Sequence, residues 1–185
     1  QNELTNLTAE GALINYLEKL DNIAFLEVMA TWYQSDIKTM HVFARTKGGD
    51  PAIYYYRRFE QERYWTPWEK VELDISGDQL LAFVRNNRLC LAWPMYTEEP
   101  DPNQKATIPP ATANTQVNID KPKRKLKIQL AISELANNKW QPKKVSKEGI
   151  LTPSNYTTDE LPKDIYNMLY FELGEQVWFF STSLD

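Results

Sequence analysis

The chain has 185 residues, 42% of them hydrophobic, and a formal charge of -4 at neutral pH. At this size one globular domain buries about 70% of the surface its unfolded chain exposes, with no need of disulfides or a structural metal. The charge argues against a protein built to grip nucleic-acid phosphates or an anionic membrane surface. A single cysteine, Cys90, and a single histidine, His41, exclude a Cys/His zinc site, an intrachain disulfide and a two-histidine metal centre, and no cofactor is expected.

From Thr8 to Leu26, Leu13, Leu17, Leu20 and Ile23 recur at helical spacing, with Thr8 placed to cap the start. This predicts one amphipathic helix over 8–26. Beyond it the chain changes to short runs rich in β-branched and aromatic residues. Strands are expected near 26–34, 40–46, 52–60, 67–74, 80–86, 88–96, 126–134, 141–146, 168–173 and 177–182. The turn chemistry between them includes Ser35-Asp36, Gly48-Gly49, Gly77-Asp78, Asn86-Asn87 and Gly174-Glu175. The fold expected is mainly β, an antiparallel meander behind one helix. His41 stands in the alternation Met40 to Ala44, where a structural histidine is expected.

Residues 97–124 read as a Pro-rich excursion between two strands. They hold Pro100, Pro102, Pro109, Pro110 and Pro122, open acidic, and lead into Lys121, Lys123, Arg124, Lys125 and Lys127. The stretch reads as a mobile binding or protease-sensitive loop, or as a solvated insertion; the short basic cluster and lack of a motif favour the insertion. The organisation expected is one β-rich domain over 1–185: the helix, a first unit and the start of a second over 27–96, the excursion, and the remainder over 125–185. The chain begins at Gln1 with no basic, apolar leader, and reads as a piece of a longer polypeptide. No apolar run reaches the roughly 18 residues a membrane span needs.

The most informative feature is internal. Shifted by 75, Ile53 to Pro67 matches Ile128 to Pro142 without a gap, bringing Ile53 onto Ile128, Trp65 onto Trp140 and Pro67 onto Pro142. Each copy is a strand, a turn, Trp-x-Pro and another strand. The strands then fall into two groups of four and the start of a third, the pattern of radially repeated propeller units; a chance match inside an aromatic-rich β sandwich is the competing reading. The second turn, Ser133 to Trp140, has the length and ends of the Asp-box of sialidase propellers in degenerate form, with Leu135 at the Asp position and Asn137 at the Gly position. In the first copy Glu60 takes the acidic position, Glu62 the Gly position, and Trp65 closes the turn. Glu60, Trp65, Pro67, Ser133, Asn137, Trp140 and Pro142 are therefore assigned to an architectural hairpin whose Trp packs between sheets.

The runs LINYLEKLDNIAFLEV over 13–28, IYYYRRFEQERYWTPWEKVELDI ending near Asp74, and NNRLCLAWPMYT over 86–97 resemble the neuraminidase-like region of the A component (TcA) of bacterial Tc insecticidal toxin complexes. The resemblance is close over 9–97 and looser after the excursion. It implies a mainly β domain in the shell of a large, secreted or surface-associated, homopentameric, pore-forming virulence factor. It also implies that the partners are the rest of that subunit and its neighbouring protomers, and that domains near the base of the shell form a pH-sensitive closure.

Sialidase chemistry needs three arginines converging on a substrate carboxylate, a Tyr with a partner Glu, and an Asp, collected around one axis. Two and a half units cannot supply that ring, and adjacent Arg57 and Arg58 point to opposite faces of a strand. A glycan- or receptor-binding module is the stronger competitor: Trp32, Trp65, Trp68 and Trp93 would stack on sugar rings if they formed an exposed platform, although such residues usually fill inter-sheet cores. The sequence thus predicts a non-enzymatic structural and interaction domain.

Overall fold

The computed structural model describes residues 24–104, 122–153, 166–173 and 176–183. Almost all of the expected helix lies outside them, and the chain is already extended at Leu26. The described residues form three sheets. The first runs β1 (Leu26–Gln34), β2 (Thr39–Thr46), β3 (Tyr54–Glu60) and β4 (Tyr64–Trp65), with β5 (Glu69–Lys70) also on β3. The second holds β6 (Leu81–Arg85), β7 (Arg88–Pro100) and β8 (Arg124–Ala136), with β9 (Lys139–Trp140), β10 (Lys144–Val145) and β11 (Ile150–Leu151) all on β8. The third pairs β12 (Tyr166–Leu173) with β13 (Gln176–Ser183).

The turns follow from residues that tolerate a left-handed backbone. Asn86 and Asn87 lie at φ 49° and 59°, and Asn137 and Asn138 at 52° and 57°. Two successive residues at positive φ make a type I′ connection, whose twist matches that of the strands it joins. Between β1 and β2 a 3-10 turn over Ser35–Ile37 ends on Lys38 at φ 50°.

The strands expected over 67–74 and 141–146 shrink to Glu69–Lys70 and Lys144–Val145, and a second two-residue piece stands before each, Tyr64–Trp65 and Lys139–Trp140. Pro67 falls between β4 and β5, and Pro142 between β9 and β10. Proline has no N–H to give to a ladder, so each strand survives as two-residue pieces on either side.

The stems of the excursion are strand rather than loop. β7 continues to Pro100 and β8 begins at Arg124. Arg124 pairs with Glu98 at 2.5 Å and Lys127 with Glu99 at 2.9 Å, while the Asp101 amide donates to the Lys123 carbonyl at 3.0 Å. The acidic opening and basic close are cross-strand partners. Residues 105–121, the middle of the excursion, lie outside the described residues.

The chain divides into two compact units. The first takes the residues up to Ser76, Leu80–Ala92 and Ile132–Lys143; the second takes Gly77–Gln79, Trp93–Ala131 and Lys144 onward. Phe43, Ala44, Phe83, Leu91 and Ala92 are fully buried in the first. In the second, Leu126, Ile128 and Tyr166 form a buried cluster with Tyr96 against it, and Trp93 is wholly buried. Burying each large apolar side chain contributes roughly 1.5–3 kcal/mol.

Candidate functional site

Apart from Trp32 and Trp93, the residues singled out from sequence lie on or beside the two Trp hairpins. In the first, the Thr66 amide donates to the Arg58 carbonyl at 2.8 Å and Val71 to Tyr54 at 2.8 Å. In the second, Gln141 donates to Glu134 at 2.9 Å and Ser146 to Leu130 at 2.9 Å. The donors are 75 residues apart and the acceptors 76. The repeat is therefore structural, but the gapless alignment is one residue out in the leading strand. Tyr54 answers to Leu130, not Ile53 to Ile128. Pairing shows why: Glu60 faces Tyr64 across three residues, whereas Ala136 faces Lys139 across two.

Both residues at the Gly position are left-handed, Glu62 at φ 55° and Asn137 at 52°. Glu60 pairs with Arg58 at 3.0 Å, while the Ser133 hydroxyl donates to the Gln141 carbonyl at 2.6 Å and ties its turn to the strand beyond Trp140. The two Trp residues part company. Trp140 stands edge-on to Phe43 (5.8 Å between centroids) and to Tyr56 (6.4 Å), a packing between strands of different sheets. Trp65 does not pack between sheets: it is 46% exposed and lies against Phe59 at 4.9 Å.

The two faces of the first sheet differ in chemistry. One carries Tyr56, Arg58, Phe43 and His41, in register across β2 and β3. His41 is buried; its Nε2 lies 3.1 Å from Gln34 Oε1 and its Nδ1 2.7 Å from the Tyr56 hydroxyl. In the neutral ring Nε2 donates to the amide oxygen, which can only accept, and Nδ1 accepts from the Tyr56 hydroxyl. Burial, and secondarily the charge of Arg58, lowers its pKa to about 4; burial also pushes the Tyr56 phenol up. Beside this network a cleft of about 210 Å³ is lined by Tyr56, Arg58, Glu69, Lys70, Asn138 and Trp140 among others.

The opposite face carries a row of aromatic residues, and Arg57 lies between two indoles, its Cζ 4.1 Å from the Trp65 ring and 4.4 Å from the Trp68 ring. Of the residues proposed for aromatic contact, Trp68 belongs here. Trp32 does not: it pairs with His41 and so points to the other face. Trp93 is excluded from any exposed platform, because its strand, β7, is buried on both faces from Leu89 to Pro94. Sequence reasoning missed Tyr33 and the clamped Arg57. The available signal was the pair Trp65 and Trp68 three residues apart, facing an arginine across a tight hairpin.

Five of the described arginines are engaged separately: Arg45 with Glu27, Arg58 with Glu60, Arg88 with Glu134, Arg124 with Glu98, and Arg57 with its indoles. Among the described residues no group of three His, Cys, Asp or Glu side chains is placed to hold a metal ion, and no helix is long and apolar enough to cross a membrane.

This meander with paired Trp hairpins agrees with a family-level match: the sequence model of the neuraminidase-like domain covers residues 26–172, well over half of the chain. The chain belongs to the neuraminidase-like domain family. The resemblance drawn from its sequence to that region of Tc toxin A components is met in two solved structures. Morganella morganii TcdA4 is 15% identical with a TM-score of 0.58 over 77% of this chain, and Yersinia pseudotuberculosis TcaA-TcaB is 19% identical with a TM-score of 0.56 over 97%. At these identities the likeness is one of fold. The chain spans only 6% and 9% of those two structures' chains. No curated protein sequence matches it.

Proposed function

We propose that this neuraminidase-like chain is a non-catalytic structural and interaction domain of a toxin-complex A subunit, set in the shell around a translocation channel. The observation that carries the reading is its fold, which recurs as a small fraction of two much longer toxin chains. The two compact units are read as one β-rich domain, because β7 and β8 contribute to both. Its sheets are read as propeller-like units, with the Trp-x-Pro hairpin as the repeated element.

The absence of catalysis is supported by Arg45, Arg57, Arg58, Arg88 and Arg124, which are engaged with separate partners instead of converging on one substrate carboxylate. Fold alone assigns no chemistry, since activity resides in the site. Secretion, a homopentameric partner set and the pore-forming, insecticidal role follow from the same resemblance. A contribution to a pH-sensitive closure is read as electrostatic: protonating one partner of a carboxylate and Lys/Arg pair at a subunit contact releases it.

The test is the intact mass of the natural polypeptide, read by immunoblot of the source organism with an antibody to this domain. A band far above 21.6 kDa is expected, and a band near that mass overturns the reading. For the closure, assembled subunits with this domain's interfacial carboxylates and lysines neutralised should open at a shifted pH; an unchanged opening range removes the domain from the lock. A second reading, contact with a glycan or receptor, is favoured by the exposed aromatic row around Trp65.

A further inference from the structure

Tyr33, Met40, Phe59 and Trp65 stand in register across four strands, by the pairings Tyr33↔Met40, Met40↔Phe59 and Phe59↔Trp65. Residues paired in this way share one face of the sheet, and three interstrand steps give the row a length of roughly 14 Å. It is open to solvent at both ends, Tyr33 being 42% and Trp65 46% exposed. Phe59 and Arg57 both lie against the Trp65 ring, and close to half of the residue's surface still remains exposed.

Hydrogen-bonding groups border the rings. The Tyr33 hydroxyl donates to Glu62 Oε1 at 2.8 Å, which ties the β1 end of the row to the turn beyond β3 and leaves the second carboxylate oxygen to accept. The same contact holds the Tyr33 phenol above its ordinary pKa. Arg57 lies against two indoles and its Nε is buried, so what its guanidinium can offer a ligand is the N–H groups of its Nη atoms.

We propose that this row is a carbohydrate-binding shelf for an uncharged oligosaccharide, a pyranose ring lying against the exposed part of the Trp65 ring with its hydroxyls donating to Glu62 and accepting from Arg57. The apolar C–H face of a pyranose matches an aromatic platform, and a few placed polar groups fix orientation. Charge complementarity selects the neutral class. The rim holds one carboxylate and one guanidinium, which hydroxyls satisfy together because they both donate and accept, whereas an acidic sugar meets Glu62 and a basic one meets Arg57. The length of the row suits several rings rather than one. This inference rests on the second reading of function and adds to it a place and a ligand class.

The intact 185-residue chain is titrated with maltotriose, cellotriose and triacetylchitotriose, and with trigalacturonate as the acidic comparison, up to tens of millimolar, following tryptophan fluorescence and saturation-transfer NMR of the sugar. A saturable response to at least one of the first three is expected, weakened about ten-fold or more by Trp65→Ala and by Tyr33→Ala. Tyr64→Ala is the control: its ring is 52% exposed but adjacent to Trp65 on the same strand, hence on the opposite face, and it should leave affinity within about two-fold. Thermal melts of each variant separate lost binding from lost folding, and Trp65→Phe, which keeps an aromatic face, should retain partial binding. No saturable response to any of the three sugars, or equal loss in Tyr64→Ala, overturns the proposal. A response to trigalacturonate alone overturns the neutral class and leaves the glycan reading standing, and none of these outcomes bears on the mass of the parent polypeptide.

Discussion

The two Trp hairpins have the same backbone and opposite fates. Each closes a meander, each donates two equivalent bonds from its last strand to the one before, and each breaks at a proline. Yet Trp140 packs against Phe43 and Tyr56, while Trp65 lies at the surface over Phe59 and Arg57. The comparison teaches that the hairpin is one building element and that the use of its Trp is decided by what lies opposite. A sheet offers the apolar Phe43 and Tyr56 to Trp140; Trp65 meets an arginine, which keeps one side of the ring near water.

The sharpest way to break that comparison is to remove each indole. Trp140→Ala should cost about 3 kcal/mol, because a ring between strands of different sheets leaves a cavity the surroundings fill only in part. Urea unfolding measures it, and an equal cost for Trp65→Ala would show that the two positions are not distinct in burial energy.

Acid tests the face that Trp140 covers. The folded-state pKa of His41, about 4, lies below its ordinary 6.5, so between those values the unfolded chain binds the extra proton. The stability this contributes is complete above pH 6.5 and is lost as pH falls toward 4, roughly 3 kcal/mol in all. Melting temperatures of the wild-type chain and His41→Gln across pH 4 to 7 check the sign: the wild type should lose more stability on acidification, and parallel curves would show that burial does not hold His41 neutral.

Trp65→Ala should cost only about 1 kcal/mol, the scale of a cation–π contact at an exposed site, and its effect should be lost when Arg57→Ala is already in place. A double-mutant cycle measures that coupling, and additivity would show that the guanidinium and indole do not support one another.

The smallest expected effect lies in the turns. Asn138 sits at φ 57° in a two-residue connection, and Asn138→Gly should stabilise by about 0.5 kcal/mol, since Asn-Gly suits a type I′ turn better than Asn-Asn. The first hairpin, with three connecting residues, should gain nothing from glycine at Arg63; denaturation midpoints of the two variants compare them directly.

Much of this was legible without coordinates. The alternation of Thr39 to Thr46 and of Tyr54 to Glu60 marks strands because one face of each is buried, and the Asn-Asn pairs mark turns because Asn tolerates the left-handed backbone. The repeat was legible through its Trp and Pro, but its strand register was not: an extra residue in the first turn is invisible to a gapless match and moves every preceding side chain to the other face. The face of Trp32 was not legible either, because it is set by the pairing of β1 with His41 on β2. Whether Trp93 is core or platform was not legible, because a strand buried on both faces differs from an exposed one only in its neighbours.

The sequence by itself determined a β meander with Trp-x-Pro hairpins, its principal turns, a structural histidine and the family to which the chain belongs, because these depend on local patterns of polarity, backbone preference and motif. Only the tertiary structure decided which Trp is covered, that the acidic and basic ends of the excursion pair across two strands, and that Tyr33, Phe59 and Trp65 share one open face beside a clamped arginine. Those outcomes depend on register between strands far apart in the chain, and register is set by the whole sheet rather than by any one segment.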